Sequence, residues 1–163
     1  MKVLIISDTH GKSKTIERLY DQVGDVDMLI HLGDVEGDAE FIKDLFDCEV
    51  HIVRGNCDYD TDLPQYEEFM IGDKKAFITH GHRYSVNSGT AYLEELIDMN
   101  GYDFVMYGHT HCRDITRYKD SYIVNPGSLA LPRDGGRGSF MMLHFSESGM
   151  PYFVETELKR RLY

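Results

Sequence analysis

The sequence predicts an α/β fold of two packed β-sheets with helices on their outer faces. Three observations carry this expectation. Short apolar runs alternate with helix-period stretches in the first part of the chain, strand-like pairs separated by turn residues crowd the second half, and every apolar run is too short to span a bilayer. The 163 residues suit a single domain, 1–163, large enough to bury a core without disulfide staples.

The elements follow in order. Lys2 to Ser7 is mostly apolar and reads as a buried strand. Ile16, Leu19, Tyr20 and Val23 recur at helical spacing. Met28 to Leu32 is a second strand. Phe41, Ile42, Leu45 and Phe46 mark a second helix, with Asp38 placed to cap it. Val50 to Val53 is a third strand. This βαβαβ opening implies parallel strands joined by right-handed crossovers. Tyr66–Ile71 and Ala76–Thr79 then read as strands around the turn-like Gly72-Asp73. Leu93, Leu96 and Ile97 mark a third helix, stopped at Gly101. Phe104–Tyr107 is another buried strand. Two hairpins follow, Ile115–Tyr118 with Tyr122–Val124 and Phe140–Phe145 with Tyr152–Glu157. Lys159, Arg160 and Arg161 read as a solvated end.

Composition narrows the functional classes. A formal net charge of -11 repels polyanions and disfavours duplex nucleic acid, while leaving room for a small phosphate compound at a locally cationic cleft. The aromatic residues are scattered and form no base-stacking platform. Cys48, Cys57 and Cys112 are odd in number and include no CxxC, so neither a disulfide framework nor a thiolate zinc site is expected. No signal-peptide pattern opens the chain, and a cytoplasmic protein without membrane partners is expected.

Ligands of open α/β sheets collect beyond the carboxyl ends of strands. Five such ends here carry polar, ligand-type residues: Asp8-Thr9-His10, Gly33-Asp34, Gly55-Asn56-Cys57-Asp58, His80-Gly81-His82 and Gly108-His109-Thr110-His111. The Asp-x-His and His-x-His pairs are expected to point one way from extended segments, because side chains alternate with period two. Mixed oxygen and imidazole donors suit manganese, iron, zinc, nickel or cobalt. Glycine beside a donor leaves room for the backbone to turn. His31, His51 and His144 lie within strand patterns and read as structural.

This ordered set resembles the motif series of the calcineurin-like metallophosphoesterase superfamily. Gly55-Asn56-Cys57-Asp58 and Asn125-Pro126-Gly127-Ser128, with the short chain, are similar to its YfcE-type phosphodiesterase branch. The resemblance implies a four-layer α/β/β/α sandwich, two mixed sheets flanked by helices. It also implies two divalent metal ions. Asp8, His10 and His111 would hold one, Asn56, His80 and His109 the other, and Asp34 would bridge them. Manganese is the family-based expectation, with nickel, magnesium, iron, cobalt or zinc as alternatives. The implied activity is hydrolysis of a small phosphate ester by a metal-bridging hydroxide. A homodimer or homotetramer is expected from the branch.

One departure concerns the leaving group. Many members place an assisting His where this chain has Cys57, a poorer proton donor at neutral pH. The YfcE-type branch shares this Cys. Asp34, Asn56, Cys57, Asp58 and His82 complete the expected catalytic set. Asp58 orients its neighbours, and His82 is placed to bond a phosphate oxygen. Arg133 is a further phosphate-holding candidate. Ser128 is expected to bond backbone near the site. Two other readings share the fold: a phosphomonoesterase, and a protein-interaction scaffold like the small subunit of the retromer coat, which also lacks the assisting His.

Overall fold

The computed structural model of the chain describes residues 1–59 and 61–160. Arg161, read above as part of a solvated end, lies outside the described residues. The elements are β1 (Lys2–Ile6), α1 (Ser13–Val23), β2 (Met28–His31), α2 (Ala39–Leu45), β3 (Glu49–Ile52), β4 (Tyr66–Ile71), β5 (Lys74–Thr79), α3 (Ala91–Asn100), β6 (Phe104–Met106), β7 (Arg113–Tyr118), β8 (Ser121–Pro126), β9 (Ser139–Phe145) and β10 (Pro151–Glu157).

They form two five-stranded sheets with strand orders β10-β9-β1-β2-β3 and β4-β5-β6-β8-β7. β1, β2 and β3 run parallel, whereas β9 pairs antiparallel with β1, so the sheet is mixed. The second sheet is mixed too: β5, β6 and β8 are parallel, and β4 and β7 close its edges antiparallel.

Side-chain alternation assigns the layers. Val3, Ile5, Met28, Ile30, Met141 and Leu143 face Ala76, Ile78, Phe104, Met106 and Val124 across the space between the sheets. The intervening residues Leu4, Ile6, Leu29, Phe140 and Met142 point outward, onto Ile16 and Leu19 of α1 and Ile42 of α2. On the far side Phe77, Val105 and Ile123 pack against Leu93 and Ile97 of α3. The result is the α/β/β/α sandwich. Each fully buried aliphatic side chain contributes roughly 1.5–3 kcal/mol.

Two local details differ from the sequence reading or refine it. Asp38 stands at the N-cap position of α2 but makes no side-chain cap; its Oδ1 accepts from Ser13 Oγ at 3.0 Å and so ties the two outer helices together. Gly101 ends α3 with a left-handed φ of 67°, donating its N–H to Ile97. Among the described residues, no helix is long and apolar enough to cross a membrane.

Candidate metal centre

The five strand ends converge on one rim. Asp8 N donates to Gly33 O and His10 N to Asp34 O, each at 3.0 Å, joining the loops after β1 and β2. Gly108 N donates to His80 O at 3.1 Å, joining the loops of the second sheet, and Leu129 N reaches Ser7 O at 3.0 Å across the two. A Cβ at Gly55 would overlap Asp34 Oδ1, and one at Gly108 would overlap Ser7 Oγ, so glycine alone lets these loops close.

Asp8-Thr9-His10 and His109-Thr110-His111 do not run extended, contrary to the period-two expectation. Asp8 (φ 54°), His10 (φ 47°), Asp34 (φ 55°), His109 (φ 67°) and His111 (φ 59°) all take left-handed backbone. The chain turns at each of these residues, so strand alternation does not govern them. Asp and His tolerate this region better than most residues, and such outliers gather at functional sites.

The side chains meet closely. Asp8, His10, Asp34 and His111 each offer an atom within 4.8 Å of all the others. His111 Nε2 lies 3.1 Å from Asp8 Oδ1 and 3.3 Å from His10 Nε2. His80 Nε2 lies 3.4 Å from Asp34 Oδ2 and 3.1 Å from Asn56 Oδ1. The His109 ring packs 5.1 Å from that of His80, and His82 sits 5.4 Å and 6.1 Å from His80 and His109. Asp34 occupies the middle: Oδ1 accepts from Cys57 N at 2.8 Å, while Oδ2 faces both His80 and His10.

A surrounding set of bonds fixes the rings. His80 Nδ1 donates to Leu32 O and His111 Nδ1 to Leu131 O, both at 2.7 Å; His10 Nδ1 meets Glu36 Oε1 at 2.6 Å. With Nδ1 spent on an acceptor, each neutral ring presents the Nε2 lone pair inward. His109 is arranged the other way. Its Nε2 meets Asn87 at 3.0 Å, leaving Nδ1 as the atom it can offer. Neither Glu36 nor Asn87 was singled out from the sequence. Glu36, two residues past Asp34, carried the weak signal of a carboxylate beside a ligand motif, and Asn87 carried none.

Other site residues hold backbone. Asp58 accepts from Gly55 N and Glu36 N at 2.7 Å each. Ser128 Oγ donates to Asp8 O at 2.8 Å, and Asn125 Nδ2 donates to Gly108 O at 2.8 Å. His31, fully buried, accepts from Gly33 N at Nδ1 (3.2 Å) and donates from Nε2 to Thr9 Oγ1 (2.9 Å), fastening the first two ligand loops together. Arg133 is exposed, with its N–H on His111 O. His51 bonds Glu67 and stacks on Phe69, and His144 stacks on Tyr152, both remote from the rim.

Electrostatics follow from this crowding. Burial works against ionising Asp34, yet the His80 hydrogen bond and charge and the Cys57 N–H hold its carboxyl well below the usual range. His111 is raised by its contact with Asp8. His80 is raised too, since Asp34 and Asp8 outweigh its burial. His109 and His82 are lowered by burial and by neighbouring imidazoles. Burial, then Asp34, pushes the Cys57 thiol up to about 12.

The donors fit a divalent cation. Asp8 Oδ1 is buried without a hydrogen bond although three imidazole Nε2 atoms lie within 4.0 Å of it; with those rings neutral, lone pairs face lone pairs, an arrangement that a cation resolves. Fold and site together define a metallophosphoesterase. The chain belongs to the calcineurin-like phosphoesterase superfamily, whose domain matches residues 1–148. The probable metallophosphoesterase YsnB of Bacillus subtilis is 30% identical over 145 residues, covering 88% of this chain and 83% of YsnB. Phosphodiesterase YfcE of Escherichia coli is 30% identical over 169 residues, covering 88% of this chain and 87% of YfcE. Among solved structures, Entamoeba histolytica Vps29 complexed with zinc shares the fold, with a TM-score of 0.76 at 24% identity, covering 98% of this chain and 100% of that one.

Proposed function

We propose that this chain is a phosphodiesterase that uses two divalent metal ions at the rim of the sandwich, with manganese the first choice. The carrying observation is the buried, unbonded Asp8 Oδ1 among inward-facing imidazoles, with Asp34 central between two groups of donors. In this reading Asp8, His10 and His111 would hold one ion, Asn56, His80 and His109 would hold the other, and Asp34 would serve both.

Bound cations supply Lewis acidity and an activated water at neutral pH. The chain's own residues do the rest. Asp34 is kept anionic by Cys57 N–H and His80, so it carries charge to the centre at any ordinary pH. His82, held neutral by burial and its neighbours, retains a ring N–H to donate to a phosphoryl oxygen. The raised Cys57 thiol stays protonated and stands beside Asp34 as a weak donor toward the departing oxygen. Asp58 fixes the loop that carries Asn56 and Cys57.

The fold match to Vps29 keeps the scaffold reading as the alternative, and the relatives at 30% identity, named as a phosphodiesterase and a probable metallophosphoesterase, favour the enzyme. The test is hydrolysis of bis(p-nitrophenyl) phosphate by manganese-loaded protein. Asp34→Ala is expected to lower kcat/KM about 10³-fold, a loss of several kcal/mol of charge stabilisation. Retention of half the wild-type rate refutes the assignment.

A further inference from the structure

We infer that one organic arm of the substrate diester lodges in the cavity beside Cys57, and that this arm is a neutral or cationic alcohol, not one bearing a second phosphate or a carboxylate. The inference rests on the phosphoesterase reading and adds the chemical class of the substrate to it.

A cavity of about 680 Å³ lies between the loop after β2, the exposed side of α2 and the loop after β3. That size suits a small-molecule arm. Its lining includes Glu36 and Cys57. Side-chain atoms of His10, Glu36 and Cys57 come within 4.8 Å of one another, so the cavity opens at the rim of the candidate centre. Cavities of about 510 Å³ and about 250 Å³ are lined by residues of other regions, none of them a candidate ligand. A phosphorus atom held at the centre therefore has an open cleft next to it on the Cys57 side.

The lining fixes the chemistry of the occupant. Among the described residues, four acidic ones line it: Glu36, Glu40, Asp58 and Asp62. Lys43, the one cation in the lining among the described residues, is already paired with Glu40 at 2.7 Å. Glu36 and Asp58 are tied to His10 and to backbone N–H groups, so they cannot swing away from an anion. Among the described residues, no lysine or arginine is free in the lining to receive a phosphate or carboxylate, the groups that a bidentate cation normally reads. Tyr59 is 80% exposed at the mouth, with a ring face available to an onium group. Val35, Leu63 and Pro64 supply apolar wall for the methylenes of the arm.

The experiment keeps one leaving group and changes the other arm. Manganese-loaded protein is given p-nitrophenyl phosphodiesters whose second ester is choline, ethyl or 4-hydroxybutyrate, one cationic, one neutral and one anionic. The expected kcat/KM ratio of the choline ester to the carboxylate ester is about tenfold or more, with the ethyl ester between them. Asp62→Lys and Glu40→Lys, each read by the ratio within the variant, are expected to bring it to about threefold or less. Tyr59→Ala is expected to raise KM for the choline ester more than for the ethyl ester. Hydrolysis of the ethyl ester with a choline-to-carboxylate ratio near one overturns this inference and leaves the phosphoesterase reading standing. A wild-type ratio that neither lysine substitution moves overturns the assignment to this cavity. Failure to cleave any of the three esters refutes the phosphoesterase reading, and this inference with it.

Discussion

His31 offers a quantitative test of how the ligand loops are held. It is fully buried, and burial pushes its pKa down from 6.5 to about 4, with the nearby His80 adding to the fall and Asp8, Asp58 and Asp34 opposing it. A ring that gains its proton less readily in the folded than in the unfolded state favours the folded state at high pH. The stabilisation is complete above about pH 6.5, and falls as the pH drops toward about 4, where the folded ring also protonates. At about 1.36 kcal/mol per pH unit between 6.5 and about 4, the loss on reaching pH 4 is about 3 kcal/mol. With a urea dependence of about 2 kcal/mol per molar, the unfolding midpoint should fall by about 1.5 M from this group. The reference is His31→Gln, whose amide can accept from Gly33 N–H and donate to Thr9 Oγ1 without titrating. Metal-free wild type and variant are unfolded in urea at half-unit steps from pH 4 to pH 7.5. The gap between them isolates His31, because the other titrating groups are common to both. Parallel curves over that window refute the argument.

Three further outcomes follow from the site. Cys57→His should raise turnover on diesters with poor leaving groups by about 10²-fold, the low end for positioned acid catalysis, and leave good leaving groups nearly unaffected; an unchanged rate on both means another step limits. Asn87→Ala should weaken the more weakly bound manganese by about 10- to 100-fold in calorimetric titration through the freed His109 ring, and Asn87→Gln should recover part of it; no change in either affinity refutes a positioning role. His80 and His111 are raised above 6.5, so metal must displace their protons: apparent manganese affinity should climb as pH rises through and above about 6.5, with proton release seen as a buffer-dependent heat; an affinity flat from pH 6 to pH 8 contradicts it.

Much of the architecture was legible because it rests on local patterns. The runs Val3–Ile6 and Met28–Ile30 are apolar on both faces, as strands buried between two layers must be, and the Leu93, Leu96 and Ile97 spacing placed α3 with its Gly101 stop. What could not be read was non-local or set by loop dihedrals. Nothing in Lys2–Ile6 says that its antiparallel neighbour is β9, almost the whole chain away. Asp38 carries the right residue for a cap, yet Ser13 on the other helix takes its carboxylate, a tertiary competition that no window contains. The ligand motifs announced their residue types but not their backbone. The left-handed turns at Asp8 and His10 depend on bonds to Gly33 and Asp34 from another strand end. Glu36 and Asn87 stayed unmarked for the same reason, since their partners His10 and His109 are reached through space.

The left-handed residues also bear on the choice between enzyme and scaffold. Left-handed backbone at a non-glycine residue costs about 1–2 kcal/mol, somewhat less for Asp, and five candidate ligands adopt it. Together that is roughly 5 kcal/mol or more, comparable with the entire net stability of a small domain. The loops are held there by carboxylates and imidazoles whose own burial is unfavourable: Asp8 is buried with an unbonded oxygen, and Asp34 and His80 are buried against each other. A surface that only docks a partner gains nothing from five strained residues and a buried charge cluster on one rim, because its affinity comes from the exposed contact face. A centre that must hold cations with open positions gains directly, since the strain aims the donors and the cations neutralise the carboxylates. The cost is concentrated at the residues a phosphoesterase needs, and that concentration is the physical reason to prefer the enzyme.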